Sequence, residues 1–408
     1  MNTPVSSGRD DVSAPGAGPD THARIAAHVR ERSASLIALS RDLHARPELA
    51  MEETYAVQRL TGELADAGFT VQTGTGGLPT AFRAERGTGS PVIAFLCEYD
   101  ALPGIGHGCG HNLIAAGGLA AATALGSVHP SGGTVACIGT PGEEGAGGKV
   151  LMLDAGAFDD VDAALMFHPG DRTLPIRHAT ACRKLTIEFH GVAAHAAGSP
   201  ADGRSALAAI VQFFTGVDAL RQFVPETSRM HGIIADGGAA PNVVPDYTRA
   251  EFMVRGLTGA VVDDLTERVE GIARGATLAT GTTMEVTRGV TYAERKNNHV
   301  MAGLVAGHLA RQGVRVEEPV LRGGTGSSDI GNVSLVLPTI HPYLQIMDTG
   351  TPTHSRAMAD AAITDRAHQA MLAMAIALAC AGADLLADPG LLDAAREEFA
   401  TRGPDLPA

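Results

Sequence analysis

Apolar positions along this chain change their spacing several times, and the changes divide it into elements. Helical spacing begins near Thr21 and recurs through 52-EETYAVQRLTGELADAG-68, where Gly68 suits a C-cap. The run 91-PVIAFLCEYD-100 is apolar until its terminal acids, the pattern of a strand buried on both faces. A glycine-rich loop, 104-GIGHGCG-110, then feeds a small-residue helix from Asn112 to Leu125. A strand at 134-TVACIG-139, a helix over 147–155 and a strand at 162-DAALMFHP-169 follow. Such alternation predicts an α/β sheet with functional residues at the carboxyl ends of its strands.

Near Ala181 the pattern shifts to the two-residue alternation of half-exposed strands. The segment 183-RKLTIEFHG-191, a helix over 203–221, strands at 229–238 and 247–255, a helix over 260–280 and a strand at 283–290 make a β-α-β-β-α-β unit of ferredoxin-like type. After Asn297 a helix, the segment 326-GSSDIGNVSLVLP-338 and a helix over 360–382 return to the first pattern. The predicted architecture is α/β: a catalytic domain of residues 21–181 and 296–408, interrupted by an inserted α+β domain over 182–295. Residues 1–20, rich in Pro, Gly, Ser and Asp, read as a disordered lead without the apolar stretch of a signal peptide.

Composition narrows the class. With 45% apolar and 19% charged residues the chain is globular, and 408 residues allow two or three domains. A formal charge of −14 argues against a nucleic-acid partner, which needs a concentrated positive surface. The cysteines, Cys97, Cys109, Cys137, Cys182 and Cys380, are odd in number and form no CxxC, so a reducing, cytoplasmic setting is expected. Ala370 to Ala383 falls short of the ~20 apolar residues a membrane span needs and reads as a buried helix.

The chemistry concentrates in 106-GHGCGHN-112 and 139-GTPGEEG-145. They set Cys109, His111, Glu143 and Glu144 at the ends of two apolar runs, and thiolate, imidazole and carboxylate together suit zinc. One glutamate could ligate while the other moves protons for an attacking water. Read locally, the same residues also suit a buried cysteine beside a capping histidine, or a Cys109 nucleophile with His111 as base. His168, at another strand end, favours metal; His354, in 351-TPTHSRAM-358, is one of 16 histidines and carries less. Asp100 is placed to orient an imidazole, and Glu98 points to the same side of the strand. In the smaller domain His195, Asn242 and Arg255 are candidates for an oxyanion or a substrate carboxylate.

Taken together, 44-HARPELAMEE-53, 97-CEYDALPGIGHGCGHN-112, 139-GTPGEEGAGGK-149, 190-HGVAAHAAGSP-200, 237-GGAAPNVVPD-246 and 327-SSDIGNVS-334 resemble the M20 metallopeptidases and amidohydrolases. The likeness runs from His22 to Ala383 and is nearest the cysteine-containing branch of p-aminobenzoyl-glutamate hydrolases and β-alanyl-lysine-type dipeptidases. It implies a zinc-peptidase-like catalytic domain with an inserted lid or dimerisation domain, and a homodimer. It implies metal ligands at Cys109, His111, Glu144, His168 and His354, holding one or two Zn2+ ions, with Mn2+ or Co2+ as alternatives. Glu143 would be the general base, and His195 would reach a site from the smaller domain, often that of the partner subunit. Asn242 and Arg255 match substrate-holding positions. Where the wider family has His-x-Asp, this chain has Glu98-Tyr99-Asp100, so that ligand set does not carry over whole. The expected reaction is hydrolysis of an amide in a dipeptide or N-acyl amino acid. A specialised amide such as p-aminobenzoyl-glutamate, and a non-catalytic small-molecule binder, are the alternatives.

Overall fold

The computed structural model describes residues 16–128, 132–319 and 326–406. The first fifteen residues of the expected disordered lead lie outside these; residues 18–20 already form the first turn of a helix. The chain opens with α1 (Gly18–Glu31), α2 (Ser33–Ala45) and α3 (Thr54–Asp66), then a hairpin of β1 (Thr70–Thr73) and β2 (Phe82–Thr88). The core segment follows: β3 (Val92–Cys97), α4 (His111–Val128), β4 (Gly133–Gly139), α5 (Gly148–Asp154), β5 (Ala163–Leu165) and β6 (His168–Gly170). Next come β7 (Ala181–His190), α6 (Ala206–Leu220), β8 (Arg229–Asp236), β9 (Tyr247–Gly256), α7 (Gly259–Thr280) and β10 (Thr283–Tyr292). The chain closes with α8 (His299–Arg311), α9 (Ile330–Val336), β11 (Thr339–Ile340), β12 (Tyr343–Gln345), α10 (Arg356–Ala361), α11 (Asp365–Ala387) and α12 (Pro389–Thr401).

The large sheet runs β1-β2-β4-β3-β5-β11, parallel from β4 to β11 and antiparallel through β1 and β2. Every residue of β3 is buried, which is why its apolar run has no polar alternation. Ile93, Phe95 and Cys97 face the core under α4 and α11, while Val92, Ala94 and Leu96 face a second core under α5 and α9. Each large side chain so buried contributes about 1.5–3 kcal/mol. Gly118 of α4 allows the close approach, since a Cβ there would stand 2.8 Å from the Leu96 carbonyl oxygen. At 23 residues α11 is long and apolar enough to cross a membrane, but it packs against α4, α8 and α1 as the buried core helix expected around 370–383.

The second sheet is antiparallel, in the order β10-β7-β9-β8. That is the strand order of the ferredoxin-like unit, with α6 and α7 on one face over Leu185, Ile187, Phe189, Phe252 and Val254, and Phe213 of α6 packing into the same core. The expected strand over 162–169 is instead two short strands in different sheets: β5 joins the large sheet, and β6 pairs in parallel with β12. His168 therefore begins a strand rather than ending one. The expected helix over 360–382 is likewise two helices, α10 and α11, separated where Thr364 caps α11.

Candidate metal centre

The loop between β3 and α4 places two of the expected ligands. Gly110, at φ +73°, takes the left-handed turn that swings His111 into the first turn of α4, and a Cβ there would meet the Pro169 ring at 2.7 Å. Ligating atoms of Cys109, His111 and Glu144 then lie within 4.8 Å of one another. Asp100, at the end of the β3 segment, holds two of these partners at once. Its Oδ1 accepts from His111 Nδ1 at 2.9 Å, and its Oδ2 accepts from the Glu144 backbone N–H at 2.8 Å. The ring is thereby fixed with Nε2 free.

His168 closes on the same point from β6. Its Nδ1 donates to the Pro169 carbonyl at 2.6 Å, leaving Nε2 as the open nitrogen, and its ring lies perpendicular to that of His111 at 6.0 Å. Burial, then the charge on His111, lowers its pKa to about 3, so the ring is neutral. His354 is the exposed member. It holds a left-handed backbone, φ +55°, rare for a residue with a Cβ, and is pinned by its N–H to the Gly108 carbonyl at 3.1 Å. Its Nε2 comes to 3.6 Å from Glu144 Oε1.

Several buried atoms around this point have no hydrogen-bond partner among the described residues: His111 Nε2, Glu144 Oε1 and Glu98 Oε2. Buried polar atoms left unpaired are costly, and here they converge. Burial opposes charge on His111, but Asp100, Glu98 and Glu144 outweigh it and hold the ring well above its ordinary pKa. Burial and the neighbouring Glu144 push the Cys109 thiol up. Both shifts express an excess of negative charge that a divalent cation would neutralise, and the donors are those such an ion takes. The residues present fit a metal.

Glu143 lines the same cavity, a cleft of about 550 Å3 whose walls also include Cys109, Glu144, His168 and His354. Burial, then Glu144, Glu98 and Asp329, raises the pKa of its carboxyl well above the usual range. The lysine that ends the 139–149 motif was given no role by the sequence pattern. Lys149 is fully buried, with its ammonium 2.5 Å from Glu98 and 2.8 Å from Asp329. Glu98, standing where the wider family has histidine, is thus one arm of an ion triad, and its other oxygen faces His111 Nε2 at 3.6 Å. A lone lysine between glycine and an apolar helix was the only trace of this in the sequence.

Arg255 lines the cleft and donates to Ser327 Oγ at 3.2 Å. His195 and Asn242 do not line it. They sit together in the inserted domain, where the Ala196 N–H bonds the Asn242 carbonyl, and His195 is exposed with Nδ1 accepting from Gly198 N at 2.9 Å. One chain alone brings Asp100, Cys109, His111, Glu143, Glu144, His168, Arg255 and His354 to one region and leaves these two outside it. The sequence also missed Arg177, Arg295 and Tyr343, which line the cleft from segments without a motif.

A two-domain α/β fold with a cysteine, histidine and carboxylate cluster beside a buried glutamate defines a metallohydrolase class. Residues 182–280 match the M20 peptidase dimerisation domain. The chain is 39% identical to the Xaa-Arg dipeptidase of Mus musculus over 92% of its length and 91% of that protein's. It is 33% identical to one of the two subunits of p-aminobenzoyl-glutamate hydrolase from Escherichia coli, covering 86% of this chain and 89% of that one. Among solved structures, an aminobenzoyl-glutamate utilization protein from Klebsiella pneumoniae superposes with a TM-score of 0.68 at 21% identity, over 86% of this chain and 98% of that one. A dinuclear metal-binding M20 peptidase from Bacillus subtilis does so with a TM-score of 0.60 at 21% identity, over 85% and 98%. The chain belongs to the M20 family of peptidases and amidohydrolases. It is an enzyme that hydrolyses an amide or peptide bond in a small substrate with a divalent metal.

Proposed function

We infer that the substrate is a dipeptide or N-acyl amino acid with a free carboxylate, and that the metal is zinc. The observation that carries this reading is the convergence of Cys109 with the unpaired His111 Nε2 and Glu144 Oε1 beside a buried Glu143 in a cleft of dipeptide size. Cys109, His111, Glu144, His168 and His354 would hold the ion, and a thiolate among them favours zinc over manganese or cobalt. What a bound ion supplies is Lewis-acid activation of the scissile carbonyl and of a water. Glu143 would take an attacking water's proton on its carboxylate and deliver it to the leaving amine. Its desolvated setting, among like charges, raises its proton affinity toward that task. Asp100 keeps His111 and the Glu144 backbone in register throughout. Arg255, with Ser327 beside it, is placed for a substrate carboxylate.

His195 and Asn242 complete the site from a partner subunit in this reading. The β8 edge leaves Ile233 and Ile234 64% and 42% exposed, an apolar unpaired edge suited to a homodimer. A cytoplasmic location accords with five buried, unbridged cysteines. A second substrate reading, p-aminobenzoyl-glutamate, draws on the relative from Escherichia coli.

The test is amine release from dipeptides, N-acyl amino acids and p-aminobenzoyl-glutamate before chelation, after chelation and after metal return. Turnover that vanishes with chelator and returns best with zinc is expected. Turnover indifferent to chelation, or none on any of these compounds, would overturn the reading.

A further inference from the structure

Two chain segments cross between the domains, 171–180 entering β7 and 293–298 leaving β10, and each carries an arginine into the catalytic cleft. Arg295 is 2% exposed, and its Nε has no partner among the described residues. Its Nη1 leans on the Arg177 carbonyl at 3.4 Å, and the Asn297 side chain donates to the same oxygen at 3.2 Å, so the crossings are tied together. Both guanidiniums gather on the Tyr343 ring, Arg177 at 4.3 Å and Arg295 at 5.9 Å from its centroid.

Two like charges on one ring favour an anion between them; among the described residues no carboxylate forms an ion pair with either arginine, and Glu98 acts on Arg295 only as a lesser, more distant charge. This is unusual in a chain with 45 acidic against 31 basic residues. Burial, with the adjacent Arg177, already works against the charge on Arg295, opposed chiefly by Tyr343. Tyr343 holds the guanidiniums in place, through its ring and a side-chain hydrogen bond with Arg295, and the unpartnered Arg295 Nε remains for a planar anion such as a carboxylate. Arg255 also lines the cleft, so the site offers more positive charge than one substrate carboxylate answers.

We propose that Arg295 and Arg177, held on Tyr343 at the domain crossing, form a subsite for a second carboxylate of the substrate, so that amides of acidic amino acids are preferred over neutral or basic ones. This rests on the amidohydrolase reading above, and takes the carboxylate at Arg255 as the first. Because the subsite bridges both crossings, binding there also joins the substrate to the junction between the domains.

The test uses metal-loaded enzyme and the matched dipeptides Ala-Glu, Ala-Gln and Ala-Lys. Wild-type kcat/KM for Ala-Glu should exceed that for Ala-Gln by about 10- to 100-fold, the size of a lost charge-assisted contact. Arg295→Met should bring the ratio to about one, with the larger loss falling on Ala-Glu. Arg177→Met, at a half-exposed position less tied to folding, should do the same, and Arg295→Lys should restore part of the preference. Equal loss of both substrates in both Met variants would overturn the subsite, as would a wild type indifferent between them. So would added acetate or phosphate raising Ala-Gln to the Ala-Glu rate, which would mark a free-anion site. Metal-dependent turnover without acidic preference would sink this inference alone. No turnover on any of the three in any metal state would sink the broader reading with it.

Discussion

Lys149 reaches Glu98 across the floor of the catalytic domain, its ammonium 2.5 Å from the carboxylate, with Asp329 at 2.8 Å on the other side and no solvent contact for any of the three. Burial works against the lysine's charge, but the two carboxylates outweigh it and keep it protonated. Glu143 stands within 4.8 Å of both acids, so this one ammonium tempers a cluster of three buried carboxylates. Removing one partner of such a group leaves uncompensated charge, which costs about 3–5 kcal/mol. Lys149→Met should therefore lower unfolding free energy by that amount in urea titrations of metal-free protein, and adding Asp329→Asn should recover part of it. A loss below ~1 kcal/mol would show that the triad is not the linchpin described.

Glu143 offers the cleanest separation of holding metal from using it. It is absent from the Cys109, His111 and Glu144 cluster and lines the cleft beside it. Glu143→Gln should keep the metal content of the wild type, measured by elemental analysis, while kcat falls by roughly 10²- to 10⁴-fold, the range of a lost general base. Cys109→Ala should do the reverse first, lowering metal content at a given free-ion concentration. If Glu143→Gln loses metal in proportion to activity, the glutamate is a ligand and the proton-transfer role falls.

His195 and Asn242 lie outside the cleft of their own chain, and a two-fold dimer would let each subunit complete its partner's site. Mixing Glu143→Gln with His195→Ala, each nearly inactive alone, separates the alternatives. After random subunit exchange, roughly a quarter of wild-type activity should return, because half the dimers are mixed and one of their two sites is whole. Recovery near zero, with exchange confirmed by differently tagged subunits, would place His195 in its own chain's site.

Much of this was legible in the sequence because burial on both faces leaves a mark. The apolar β3, the glycine loop and the Glu143–Glu144 pair announce themselves, and the alternation of β7 and β9 reveals the second sheet. What stayed hidden depends on contacts between segments far apart. The break between β5 and β6 comes from pairing with β11 and β12, some 175 residues away, not from a local turn signal. Lys149 closes the 139–149 motif without a visible partner, since Glu98 and Asp329 lie 51 and 180 residues away. Arg177 and Arg295 lie outside every motif and meet only because two crossings run side by side. Helix α12 and the β1–β2 hairpin gave too little periodicity to be read at all.

A last prediction concerns stability away from the catalytic cleft. Asp384 on α11 ties down α1 and α8 at once, accepting from the Ala17 backbone N–H at 2.9 Å, from His22 Nε2 at 2.7 Å and from His308 Nε2 at 2.7 Å. His308 takes a further hydrogen bond from Arg311 at Nδ1, 2.7 Å, which fixes its proton on Nε2, and Cys380 is the remaining titratable neighbour. Burial raises the Asp384 pKa, but the hydrogen bonds from His308, Ala17 and His22 bring it below the ordinary value. Burial also lowers the pKa of His308, with Asp384 only partly offsetting it. Both shifts have the same sign: the folded protein binds fewer protons than the unfolded chain at these groups. Their stabilisation is full above the ordinary histidine pKa of about 6.5, and it erodes as pH falls through that value and on through the carboxylate range. Thermal unfolding of metal-free wild type should thus decline from pH 7.5 toward pH 4.5, with Asp384→Ala about 1.5–3 kcal/mol less stable at neutral pH; because Asp384 supports the proton on His308, the gap should hold or widen through the histidine range and narrow only as the carboxylate itself protonates. A gap that closed already between pH 7.5 and pH 5.5 would mean that Asp384 is not the charged anchor of α1 and α8.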